Sequence, residues 1–156
     1  MKKNIYIILV FIITIILSSC SGIEWNYVGD QTDKVKDRVK EINAAINEKS
    51  ADKLLLIFSD EYENSLSLSD DDKKSFDSLC AVLPWLKEAA DAGADFGKSV
   101  IEFKDAAISM DGTYANVYTV FKENNVQYEI CFEMKRPEDD SGNPSEFWYI
   151  ARVYLK

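Results

Sequence analysis

The chain has 156 residues, with 27 Asp or Glu against 18 Lys or Arg for a net charge of −9, and it contains no histidine. That length suits one domain with its own core, and the acidic balance speaks against nucleic acid and anionic lipid headgroups as partners. The lack of histidine excludes histidine-based nucleophile activation, cysteine–histidine catalysis and histidine metal ligation.

The N-terminus has the layout of an export signal. Lys2 and Lys3 form a basic start, and Ile5 to Leu17 is apolar apart from Tyr6 and Thr14. The run stops short of the about 18 to 20 residues that span a bilayer as a helix. It closes on Leu17-Ser18-Ser19-Cys20, which resembles the lipobox of bacterial lipoproteins. That resemblance implies cleavage before Cys20, acylation of its thiol and a place on the extracytoplasmic face of the cell membrane. Two acyl chains, at about 0.8 kcal/mol per buried methylene, anchor a protein without a basic patch. The expected organisation is a signal peptide over 1–19, the lipidated Cys20 and a tether over 20–31, and one domain over 32–156. Trp25 and Tyr27 in the tether suit either the bilayer interface or packing on the domain.

Val35, Val39, Ile42 and Ile46 recur at spacings of four, three and four, which predicts a helix from Thr32 to about Lys49 with one buried stripe. Lys34, Lys36, Arg38 and Lys40 alternate with Asp33, Asp37 and Glu41 on its solvated face. Ser50 as N-cap and Asp52 in the first turn open a second, shorter helix carrying Leu54, Leu55, Ile57 and Phe58. Ser59 to Ser69 is polar and reads as loop with room for one short strand. Ser69 then caps a third helix, in which Phe76, Leu79, Cys80, Leu83 and Leu86 form the stripe and Pro84 forces a kink or a fresh start at Trp85.

From Ser99 the apolar period becomes two, predicting antiparallel strands over about 99–110, 113–123, 126–136 and 146–155. Asp111-Gly112 and Asn124-Asn125 are the hairpin turns, and 136–145 is a longer loop. Closing the second hairpin puts Phe121 opposite Tyr128, Thr119 opposite Ile130, Val117 opposite Phe132 and Ala115 opposite Met134, a consistent inner face. Closing the first puts Ile108 opposite Ala115 and Ala106 opposite Val117, but Lys104 and Glu102 then fall where Phe103 and Ile101 belong. A one-residue bulge near Lys104-Asp105 repairs the register. The same register sends Cys131 to the outer face while Cys80 sits in a helix stripe on the inner one, so these two cysteines are expected to stay unpaired.

No strong chemical motif appears. The glycines are scattered without a phosphate loop. Asp70-Asp71-Asp72 lacks the alternating ligands, mid-loop glycine and closing glutamate of a calcium loop, and helix capping explains it more simply. Glu138-Asp139-Asp140-Ser141-Gly142-Asn143 has the composition of a weak calcium site and equally of a solvated loop. No metal and no cofactor are expected.

Three helices followed by a curved four-stranded meander resemble the NTF2-like (cystatin-like) α+β cone. Glu48-Lys49-Ser50-Ala51-Asp52 before an apolar helix ending on Phe58 looks like the opening of many such domains, and like uncharacterised Gram-positive lipoproteins of that fold. Enzymes of the fold, isomerases and dehydratases among them, carry Asp, His, Tyr or Arg inside the cone. Here the inner face is apolar apart from Thr119 and Tyr128. The reading is therefore a membrane-anchored binding or accessory module, with Tyr114, Asn116, Tyr118 and Val120 on the outer sheet face as the candidate contact surface for a small apolar ligand, a partner protein or a second copy. The alternative is a cone-pocket enzyme of the isomerase or dehydratase type using Tyr128 and a buried carboxylate.

Overall fold

The computed structural model describes residues 30–138 and 141–156. The expected signal peptide, Cys20 and the expected tether to residue 29, with Trp25 and Tyr27, lie outside the described residues, as do Asp139 and Asp140. Helix α1 occupies 30–47, already helical before Thr32. It buries Val35, Val39, Ile42, Ala45 and Ile46, the stripe its spacing demands. Its outer side carries exposed ion pairs, Lys36–Asp33 at 3.5 Å and Lys40–Asp37 at 2.6 Å, each worth little in water. The helix closes where Lys49 takes a left-handed φ of 51° and the Ser50 amide reaches back to the Ala45 carbonyl at 2.9 Å.

Ser50 does cap α2 (Ala51–Leu55), accepting from the Lys53 amide at 3.3 Å. The chain then straightens, and Ile57 to Ser59 lie beside Ile150 as a single parallel bridge, with the Ile150 amide on the Ile57 carbonyl and the Ser59 amide on the Ile150 carbonyl, both 2.8 Å. The stretch expected to be loop contains another helix, α3 (Asp60–Ser65), capped by Ser59 on the Tyr62 amide at 3.2 Å. No apolar period marks it because only Tyr62 packs inward, its ring 5.0 Å from that of Phe58. What marks it is the cap followed by Asp60 and Glu61, carboxylates that suit a helix N-terminus.

Ser69 and Asp72 cap one another, hydroxyl to carboxylate at 2.6 Å and Asp72 amide to hydroxyl at 3.2 Å. They open only a short 3₁₀ turn, Asp72–Lys74, and not the long helix expected from Ser69. Ser75 turns extended, and its hydroxyl caps the true start of α4 (Phe76–Val82) by accepting from the Ser78 amide. α5 (Pro84–Asp91) follows with Pro84 in its first position and Leu83 extended before it, as the ring of a proline requires of its predecessor.

Strands β1 (Val100–Ile108), β2 (Tyr114–Glu123), β3 (Val126–Lys135) and β4 (Tyr149–Leu155) form one antiparallel sheet in sequence order. The register between β2 and β3 pairs Phe121 with Tyr128 and Val117 with Phe132. β1 pairs Ile101 with Phe121 and Ala106 with Val117, and Lys104 is the residue left without a partner. The bulge is where the alternation required it. A second irregularity leaves Ala151 unpaired, since Glu133 faces Arg152 while Met134 faces Ile150. The β1–β2 turn is wider than two residues: the Ser109 amide bonds to the Tyr114 carbonyl at 2.8 Å, and the Asp111 carboxylate accepts from the Thr113 amide at 3.0 Å.

The described residues thus give an α+β architecture of five helices and a four-stranded sheet. A single apolar cluster joins the α1 stripe, Leu79, Trp85 and Leu86 to Phe121, Ile130, Phe132 and Ile150 of the sheet's inner face. α1 is held along that face by polar staples as well. The Asn47 amide donates to the carbonyls of Phe96 and Ser99 at 2.8 and 2.9 Å, and the Asn43 oxygen accepts from the Ile101 amide at 2.8 Å.

Replacing Asn47 takes its donor from the Ser99 carbonyl near a helix–sheet junction, while the Phe96 carbonyl keeps the Ser99 amide and hydroxyl. Asn47→Ala is expected to destabilise the domain by about 1–3 kcal/mol. Urea denaturation should show this as a lower midpoint at constant slope; an unmoved midpoint would mean water replaces the amide at no cost.

Candidate functional site

The outer face of the sheet, turned away from the helices, is a grid fixed by register. Across the strands, Ala107, Asn116, Glu133 and Arg152 form one row, Asp105, Tyr118, Cys131 and Tyr154 the next, and Glu102, Val120 and Glu129 the third. Tyr114 and Asn116 are exposed, and with Ala107, Ser109 and Glu133 they line a cleft of about 340 Å³. Tyr118 is half-buried beneath the Lys156 ammonium, 4.4 Å from its ring centroid, a cation–π contact that covers much of its face. Val120 is only 6% exposed and, like Cys131, lies outside the main core cluster. Of the four residues singled out, Tyr114 and Asn116 are therefore brought together at a cleft, Tyr118 is covered by its own chain, and Val120 supports the face from within it.

Polar groups on this face are matched among themselves. Glu102 takes Lys104 at 2.6 Å and also Lys122, and these two ammonium groups hold its carboxyl at about 2, below the usual range. The Tyr154 hydroxyl donates to Glu133 at 3.1 Å. Burial raises the Cys131 thiol pKa against the pull of Lys156, which suppresses its reactive thiolate. Cys80 is likewise free and is pushed up to about 11, chiefly by burial.

Between sheet and helices lie aromatic rings in mutual contact. Trp85 meets Phe132 edge to face at 5.5 Å, Phe121 stacks on Tyr128 at 5.0 Å, and Phe96 packs against both Phe76 and Phe121. The two polar side chains expected inside are already engaged. Thr119 donates to the Ile130 carbonyl at 3.1 Å, and the Tyr128 hydroxyl donates to the Trp85 carbonyl. The Trp85 indole N–H makes no hydrogen bond of normal geometry, although the Tyr62 hydroxyl is near enough to feel it. A carboxylate does lie on the inner-facing side of β2: Glu123, 4% exposed and opposite Val126 at the end of the strand. Five clefts of about 240 to 470 Å³ lie at the exterior, and none of them is lined by Thr119, Tyr128 or Glu123.

Sequence reasoning missed two clusters. Arg38 stacks over both Phe147 and Tyr149, at 5.6 and 5.8 Å, beside a cleft of about 280 Å³ shared with Lys34, Glu41 and Trp148. Arg136 is buried, and its guanidinium donates to the carbonyls of Gly112, Pro144 and Ser145 while lying 5.7 Å over the Trp148 ring. A single arginine after a strand carries no periodic signal, so only the fold reveals its partners. Among the described residues, no three His, Cys, Asp or Glu side chains converge as a metal site, and no helix is long and apolar enough to cross a membrane.

No family model, curated protein or solved structure matches the chain.

Burial pushes the Tyr62 phenol up to about 12 from 10.0, with the Trp85 indole partly offsetting the rise, and burial also pushes Tyr128 upward. Above the lower value the unfolded phenol ionises while the folded one stays protonated, so stability falls as pH rises through this window. The urea midpoint should drop between about pH 10 and about pH 12, and Tyr62→Phe should shrink that drop. An equal drop in the variant would assign the alkaline loss to other groups.

Proposed function

We propose that this chain is an extracytoplasmic lipoprotein, anchored to the cell membrane through acylated Cys20, whose NTF2-like domain is a binding or accessory module. The observation that carries the reading is that the polar side chains of the inner face are already committed within the domain. Trp85, Phe121, Phe132 and Trp148 are each buried to within 1%, and the hydroxyls of Thr119 and Tyr128 are committed to backbone carbonyls. An enzyme of this fold needs a cavity in which an acid and a base face a substrate. With the Thr119 and Tyr128 hydroxyls so engaged, we assign contact with a ligand, a partner protein or a second copy to the exterior.

The outer sheet face near Tyr114 and Asn116 suits that role best. It combines an exposed aromatic ring, an amide with donors and acceptors, and a cleft bordered by Ala107 and Glu133. Exposed aromatics are enriched at protein interfaces. The net acidity of the chain disfavours nucleic acid as the partner.

Two measurements test the proposal. Mass spectrometry of the membrane fraction should find a mature chain beginning at an acylated Cys20; a soluble chain retaining its N-terminus would sink the anchoring. A photo-crosslinking side chain at Asn116 of the membrane-bound protein should give a discrete adduct that Tyr114→Glu abolishes, whereas the same group at Asp77 on α4 should give none. Equal labelling from both positions would remove the sheet face as the contact surface.

A further inference from the structure

The polar contacts of Arg136 and Trp148 define one end of the domain. The Trp148 indole donates to Gln31 in the first described turn of α1 at 3.3 Å, its ring lies under Arg136, and Arg136 donates to the Gly112 carbonyl at 3.2 Å. The start of α1, the β1–β2 turn and the loop before β4 are thereby gathered together. At this same end stand Met110 at 99% exposure, Phe147 at 58% and Tyr114 at 55%. The other end carries the β2–β3 turn, with Asn124 and Asn125 both exposed. It lies about 30 Å away along the ten residues of β2.

The chain from Cys20 enters the domain at this end, where α1 begins. Nine residues lie between Cys20 and Asp30, ten Cα steps with a reach of at most about 36 Å. We infer that the domain seats this end on the lipid surface, with Met110 and Phe147 entering the interfacial zone and the Asn124-Asn125 turn held away from it. The inference rests on acylation of Cys20. An unbranched thioether and a phenyl ring at a loop tip suit the headgroup boundary, where apolar side chains find acyl carbon without leaving polar backbone unsatisfied. Carboxylates nearby, Asp111, Glu138 and Glu146, are exposed, so the matching surface is zwitterionic and a strongly anionic one weakens the contact.

The test uses the acylated mature chain on phosphatidylcholine vesicles containing headgroup-nitroxide lipid. Three cysteine labels, Met110→Cys, Phe147→Cys and Asn125→Cys, each in a chain whose buried thiols are removed by Cys80→Ala and Cys131→Ala, carry an environment-sensitive fluorophore. Flotation of the chain with the vesicles checks the anchoring separately. With the chain bound, quenching several-fold stronger at 110 and 147 than at 125 is the expected result, and it should decline when phosphatidylglycerol replaces part of the phosphatidylcholine. Equal quenching at all three sites on bound vesicles overturns the seating while leaving the anchor standing. Failure of the chain to float removes the anchor and the seating together.

Discussion

One unpaired residue, Lys104, decides which side of β1 meets the helices. The turns and the β2–β3 register fix the inner face of β2 as Ala115, Val117, Thr119 and Phe121, and β1 must answer them. Without an extra residue, the first half of β1 would offer Glu102 and Lys104 to the core and turn Ile101 and Phe103 to water. Burying those two charges costs several kcal/mol or more per unpaired group, far above the local disruption of a bulge. With Lys104 set aside, Ile101 is buried on Phe121, and Glu102 pairs with Lys122 on the outer face. The inner aromatic cluster and the outer charge lattice both follow from that displacement.

The parts of the molecule that could be read in advance are those where a period meets a packed surface. The α1 stripe, the hairpin register, the β1 bulge and the separation of Cys80 from Cys131 all follow from which side chains must leave water. α3 escaped because six residues with one inward tyrosine produce no period, and the late start of α4 escaped because Ser69 and Ser75 offer competing caps of equal chemistry. The bulge at Ala151 had no signal either, since β4 begins after a loop whose length leaves its register open. Of the candidate surface, Tyr114 and Asn116 were legible as exposed positions on the outer face. The covering of Tyr118 by Lys156 was not, because it depends on where the final residue of β4's extension comes to rest.

Arg136 shows how a buried cation can organise turns through backbone carbonyls. Its donors are spread over carbonyls from two separate connections, groups that would otherwise need water in a region roofed by the Trp148 indole. Charge-assisted bonds of this kind are about twice as strong as neutral ones, so the loop before β4 and the β1–β2 turn are coupled in position. That coupling makes the end of the domain at which α1 begins a fixed surface instead of two independent loops.

The free side of β1 has a consequence for the protein outside its folded function. A sheet edge presents unpaired amides and carbonyls on which a foreign strand can grow, the usual first step toward fibrils. Here the Ile101 amide is occupied by Asn43 and the Ala106 amide by the carboxylate of Asp105, with the bulge at Lys104 between them. An incoming strand would find two of its sites taken, a break in the repeat, and charges of both signs at the break. At high local density such an edge would otherwise recruit neighbouring copies.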